Sequence, residues 1–249
     1  MSFQDHFSAH AGEYARYRPD YPPALFDWLA AQAPSRQLAW ECACGSGQAT
    51  LALAQHFEHL IATEPSAEQL AAAPRHPRID YRCEPAERSS LADASVDLIA
   101  VAQALHWFDM PAFFAEASRV LRPGGVLAAW CYETCQVAPA VDAVVAHFYD
   151  DTIGPYWPPE RRWIEQGYAG IDLPFPELIA PAFAMTQHWT LAELVGYFGT
   201  WSATRRYREA RQHDPLPELW DQLEPAWGDP THARPVSWPL RMRACRKPA

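Results

Sequence analysis

The segment Glu41-Cys42-Ala43-Cys44-Gly45-Ser46-Gly47 sets an acidic residue before small residues and two glycines. It follows a short apolar run, residues 38–40, and leads into a helix-forming run, residues 48–54. Glycines let a backbone approach a ligand closely, and a helix start offers unpaired N–H donors to an anion. A second carboxylate, Glu64, stands 64 − 45 = 19 residues beyond Gly45, at the end of the next apolar run. That is about the place of a ribose-binding acid in a nucleotide-binding βαβ unit. The pair therefore points to a nucleotide-like ligand.

The surrounding pattern must position these residues. Strands are expected at 38–43, 60–63, 79–83, 96–102 and 126–132, with helices at 47–57 and 112–121 between them. Ser66-Ala67-Glu68-Gln69 reads as a capping box that opens a short helix. Residues 96–102 are nearly all apolar, as in a strand covered on both faces. Strand–helix alternation implies a parallel sheet with right-handed crossovers. Residues 3–33 look helical with proline breaks, and Tyr14, Tyr17 and Tyr21 recur at helical spacing. Residues 136–180 are rich in proline and aromatics. A strand at 183–189, a helix at 190–207 and a strand at 236–244 complete the pattern.

Composition narrows the class. The chain has 249 residues, 20 basic and 30 acidic, for a net charge of −10. An acidic surface repels phosphate backbones, so no nucleic-acid partner is expected. The basic residues are arginines apart from Lys247. The six cysteines form no paired metal knuckles and read as reduced, buried thiols; no metal is expected. Neither a targeting leader nor a membrane-length apolar run stands out, so a cytoplasmic protein is expected, with no membrane partner.

The turn alone leaves the cofactor open. A dinucleotide fingerprint starting at Gly45 would need a small third residue where Thr50 stands. Glu41 would also place a carboxylate beside pyrophosphate charge. The stretch 41–47 instead resembles motif I of the class I S-adenosylmethionine-dependent methyltransferases, with Ala43 at the place of a glycine. Glu64-Pro65-Ser66 resembles the acidic position that follows that motif. Pro85-Ala86-Glu87 resembles the adenine-side loop. Asp97-Leu98-Ile99 through His106-Trp107-Phe108 and Tyr14–Pro19 resemble the type 11 branch, with small-molecule carboxyl methyltransferases of the trans-aconitate type nearest in character.

That resemblance implies an α/β fold: a Rossmann-like, doubly wound, mostly parallel seven-stranded sheet with helices on both faces and a helical lid and insert. It divides the chain into a lid (1–34), a cofactor core (35–135), substrate-side insertions (136–182 and 191–232) and closing strands (183–190 and 235–247). It implies S-adenosyl-L-methionine as cofactor. Main-chain groups of Ala43, Cys44, Gly45, Ser46 and Gly47 would meet the methionine carboxylate, and Glu41 its ammonium. Glu64 and Pro65 would border the ribose, Ala86 and Glu87 the adenine, and Gln103 and Ala104 the methionine arm.

Methyl transfer from a sulfonium needs the acceptor held near attack distance in a dry site, so a base is optional for a carboxylate acceptor. His106 is the candidate base for a hydroxyl acceptor. Tyr14, Tyr17, Arg18, Trp107, Tyr156, Trp157, Arg161, Arg162, Tyr168, Trp201, Arg205 and Arg206 are candidate substrate contacts, with arginine forks suited to a carboxylate. A small molecule is the expected partner, and a monomer or weak homodimer the expected state. Protein or nucleic-acid methylation, and a non-catalytic cofactor-binding role, are the alternatives.

Overall fold

Residues 38–42 form the central strand because both neighbours can cover them: β1 (Leu38–Cys42) lies between β2 (His59–Thr63) and β4 (Val96–Ala102), parallel to each. The computed structural model describes residues 17–249. Strand β3 (Ile79–Arg82) continues the parallel set beyond β2, and β5 (Leu121–Cys131) beyond β4. Strand β8 (Arg234–Arg246) then pairs antiparallel with β5, and the two-residue β6 (Glu177–Leu178) with β8, giving the order β3-β2-β1-β4-β5-β8-β6. The N-terminal half of β8 leaves that path to pair with β7 (Phe183–Trp189). The described sheet thus has eight strands, one more than the sequence implies; a two-residue edge strand carries no apolar alternation to betray it.

Alternate residues feed opposite faces, as strand geometry requires. Leu98, Ala100, Val126, Ala128 and Trp130 enter one core cluster, while Ile99, Val101, Leu127, Ala129 and Cys131 enter the other. Helix α1 (Pro23–Gln32) packs Leu25, Phe26 and Leu29 on the first face. Helix α4 (Met110–Val120) packs Phe113, Ala117 and Val120 on the second. Helices α2 (Thr50–His56) and α3 (Ala67–Ala72) follow β1 and β2. Asp97, fully buried in β4, accepts from the Gln37 and Leu38 N–H groups and the Ser35 hydroxyl, and pairs with Arg122 at 3.0 Å, fixing the start of β1.

The insertion carries α5 (Pro139–His147), α6 (Arg161–Glu165), α7 (Leu191–Gly199), α8 (Ser202–Arg211) and α9 (Leu216–Trp227). The single helix expected at 190–207 is two, because Trp201 adopts an extended backbone (ψ 138°) and the Thr200 and Thr204 hydroxyls take up the freed carbonyls of Tyr197 and Phe198. Of the helical run expected at 3–33, the described part is helical from Pro23. Pro123, Gly124 and Gly125, between the helix expected at 112–121 and the strand expected at 126–132, lie inside β5, at a register shift against β4.

Candidate active site

Beyond Cys42 the chain turns over the C-terminal ends of β1 and β4, where the strand order reverses and α/β sheets open a crevice. Three residues of the turn have left-handed backbones: Ala43 (φ 51°), Gly45 (φ 56°) and Gly47 (φ 89°). The Cys44 N–H donates to the Thr63 carbonyl at 3.0 Å, binding the turn to β2. The Glu64 carboxylate accepts the Gly45 N–H at 3.1 Å and the Ser66 N–H at 3.0 Å. That commits the Gly45 N–H, expected to face a cofactor carboxylate. Gly47 has a packing role instead: a Cβ there would lie 3.0 Å from Pro74 and 3.3 Å from the Tyr81 hydroxyl. Helix α2 begins at Thr50, later than the glycines suggest, so the turn itself faces the crevice.

The crevice encloses about 1050 Å³, the size of the largest ordinary small-molecule sites. It brings together Glu41, Ala43, Cys44, Gly45, Ser46, Glu64 and Pro65 with Ala86, Glu87, Gln103 and Ala104. Arg18, His106, Trp107, Trp157, Arg161 and Trp201 lie on the same wall system. Gly47, Tyr17, Tyr156, Arg162, Tyr168 and Arg205 fall outside the lining. Tyr17 packs its ring on Gly196, and Arg205 faces Glu209 at 3.9 Å. Tyr14 lies outside the described residues.

Sequence reading missed Gln48, Tyr132, Glu133 and Tyr197, all lining residues. Arg206 and Tyr21, both singled out in the sequence, line the crevice, and helix phase alone decides between Arg206 and Arg205. Tyr132 ends the expected fifth strand. The others had no motif to mark them.

Electrostatics divide the crevice. Glu41, about 1% exposed, lies at its floor, and its Oε2 has no hydrogen-bond partner of normal geometry among the described residues. Burial raises its pKa to about 8, with nearby Thr50 lowering it and Glu64 raising it. Burial, with Glu41 and Glu64 beside it, pushes the Cys44 thiol far up and keeps it protonated. At the other end, burial and then the Arg161 charge lower His106 to about 3. A neutral imidazole of such low basicity takes a proton poorly, so the base role expected of His106 has no electrostatic support. Its Nδ1 lies 3.1 Å from the Tyr168 hydroxyl.

Two more groups hold the walls. The Gln103 side chain bridges the Tyr132 main chain, donating to its carbonyl at 3.0 Å and accepting its N–H at 2.9 Å, from a left-handed backbone (φ 55°). The Glu87 carboxylate accepts the Asp109 N–H at 3.0 Å and so joins the third-strand loop to the N-cap of α4. Arg18 donates to the Tyr132 hydroxyl at 2.9 Å and lies over the Tyr197 ring, while Arg161 sits 4.4 Å over the Trp157 ring and donates to Tyr149 at 2.7 Å.

Comparison with known proteins agrees with this geometry. A type 11 "Methyltransferase domain" family model matches residues 40–129. A Dictyostelium discoideum protein described provisionally as a methyltransferase is 35% identical over 90% of this chain and 87% of its own. A solved structure from Anaeromyxobacter dehalogenans, described provisionally as a type II methyltransferase, superposes with a TM-score of 0.89 at 46% identity, over 94% of this chain and all of that one. A Saccharomyces cerevisiae protein described as S-adenosylmethionine-dependent is 28% identical over 67% of this chain and 60% of its own. The chain belongs to the class I S-adenosylmethionine-dependent methyltransferases. Its cofactor is S-adenosyl-L-methionine. No described helix is long and apolar enough to cross a membrane.

Proposed function

We propose that the enzyme methylates a carboxylate oxygen of a small organic acid. The cofactor fits the floor of the crevice on one observation above all: a buried carboxylate with an unpartnered oxygen, at Glu41, suits a bound ammonium. Around it, the turn 43–46, Glu64 and Pro65, Ala86 and Glu87, and Gln103 with Ala104 would hold the remaining parts of that molecule. When bound, it supplies a methyl group on a sulfonium.

The acceptor half is carried by the insertion and by Arg18. Three arginines, Arg18, Arg161 and Arg206, line it against two carboxylates, Glu133 and Glu160. Burial holds the Glu133 carboxyl above its ordinary range, with Arg161 pulling it down. A carboxylate arrives ionised and needs no base, which matches the neutral His106. The chain's own residues would then orient the acid between arginine forks and exclude water with Trp157, Trp201 and Tyr197. The anionic acceptor also suits the aromatic wall, where arginines are already braced by ring contacts.

A labelled-methyl transfer screen over organic acids, phenols and amines tests this. Turnover confined to acids, lost in R18A and R161A, supports it. Turnover confined to amines or phenols, or acid turnover untouched by both variants, overturns it.

A further inference from the structure

Tyr168 lies outside the crevice, yet it is the residue in contact with the back of His106. Its hydroxyl is 3.1 Å from His106 Nδ1, the rings are nearly parallel, and the side chain is fully buried. The backbone there is left-handed (φ 63°), a conformation disfavoured for an aromatic residue. Three contacts enforce it. The Tyr168 N–H donates to the Trp163 carbonyl at 2.8 Å, its carbonyl accepts from Ile171 N–H at 3.1 Å, and Arg243 on β8 donates to the same carbonyl. Maintained strain of this kind marks a side chain whose placement matters.

The proton inventory fixes the direction of the bond. Burial and the adjacent Cys131 push the phenol well above its ordinary range, so it keeps its proton. A buried phenol that keeps its proton needs an acceptor for it, and Nδ1 lies in reach at 3.1 Å. The opposite nitrogen, Nε2, has no protein partner among the described residues and is not one of the sealed interior atoms, while the ring lines the crevice.

We propose that Tyr168 is a positioning residue: it donates to His106 Nδ1 and thereby locks a neutral imidazole that presents Nε2–H to the crevice as a hydrogen-bond donor. In that tautomer His106 cannot accept an acceptor's proton at the crevice. It can donate to a carboxylate oxygen but cannot deprotonate a hydroxyl, which selects a carboxylate over a hydroxyl nucleophile. This selection rests on the carboxylate reading above; the tautomer does not. The charged and titratable groups around the pair are Arg161 from α6, which acts on both rings, and Cys131 from β5, which acts on Tyr168.

Nitrogen-15 NMR of histidine-labelled protein, with the His106 signals identified by their loss in H106Q, reads the tautomer without any substrate. The expected wild-type spectrum shows a neutral ring protonated on Nε2 from about pH 6 to 9. In Y168F the same signals should shift toward a tautomer mixture, with cofactor affinity unchanged by calorimetry and acid turnover down about threefold to tenfold, the worth of one hydrogen bond. A wild-type ring protonated on Nδ1 or doubly protonated overturns the proposal, as does an unaltered tautomer in Y168F. If Y168F does not fold, the wild-type spectrum alone decides. A locked Nε2–H tautomer in an enzyme that methylates only amines would leave the positioning role standing and remove the carboxylate reading.

Discussion

Glu64 and Gly45 are joined across the crevice floor, the carboxylate accepting the Gly45 N–H at 3.1 Å while its other oxygen accepts Ser66 N–H. One side chain therefore brackets the turns after β1 and β2. A carboxylate is acceptor-only, which suits the donor hydroxyls of a ribose. E64Q leaves an amide NH₂ facing a main-chain donor, and an unsatisfied buried group costs about 1–3 kcal/mol. Calorimetric titration with S-adenosylmethionine should show affinity down at least about tenfold, and the melting temperature should fall by about 2–4 °C per kcal/mol in a domain of this size. Lowered melting with unchanged affinity would leave Glu64 a bracket and nothing more.

Glu41 makes cofactor binding pH-dependent. Its folded pKa of about 8 lies above the ordinary 4.5, so between those values the native protein holds a proton that the unfolded chain has lost. The stability of the ligand-free protein therefore declines as pH rises from about 5 through 8. A bound ammonium favours the ionised form, so binding near pH 7 should expel a proton, seen as heats that vary with buffer ionisation enthalpy. In E41Q that dependence should vanish, affinity should drop, and the ligand-free melting temperature near pH 9 should exceed the wild type's. Identical proton release by E41Q would exclude Glu41 as the source.

Ala43 holds a left-handed backbone that costs a non-glycine residue roughly 1–2 kcal/mol. Ala43→Gly removes that cost and adds about 0.5–1 kcal/mol of unfolded-state freedom, for a net gain of up to about 1.5 kcal/mol in thermal melts with cofactor affinity kept. Gly45→Val meets both a positive φ and Gln69 Oε1 at 3.0 Å from the new Cβ; titration should find no cofactor binding. Retained binding in Gly45→Val would mean that the turn adjusts more freely than its hydrogen bonds suggest.

Arg206 lines the crevice beside Trp201, and Arg205, one residue earlier on α8, points to Glu209. Once an acid substrate is in hand, R206A should raise KM about tenfold or more, while R205A should stay within about twofold, the effect of an exposed ion pair. Equal effects from both variants would contradict the helix phase described here.

Much of the fold was legible because its signals are local. The apolar run of β4, the Ser66 cap and the glycine turn each declare an element through neighbouring residues, and Glu64 and Ala86 fall in the crevice for the same reason. Arg206 against Arg205 is a matter of helix phase within a helix whose break at Trp201 depends on threonine hydroxyls. Tyr197 and Glu133 reach the crevice through tertiary packing that no short pattern encodes. His106 shows the converse: its position follows from the strand-four end, but its neutrality comes first from burial by the folded chain and then from Arg161, 55 residues away in sequence (161 − 106 = 55).

Strand β8 serves β7 with one half and β5 with the other. Both partners precede it along the chain and are synthesised first. Until β8 emerges, β5 has an open edge and β7 lacks its antiparallel partner. The nascent chain therefore carries unpaired strand edges up to that moment, a stage at which crowding or heat favours aggregation over completion.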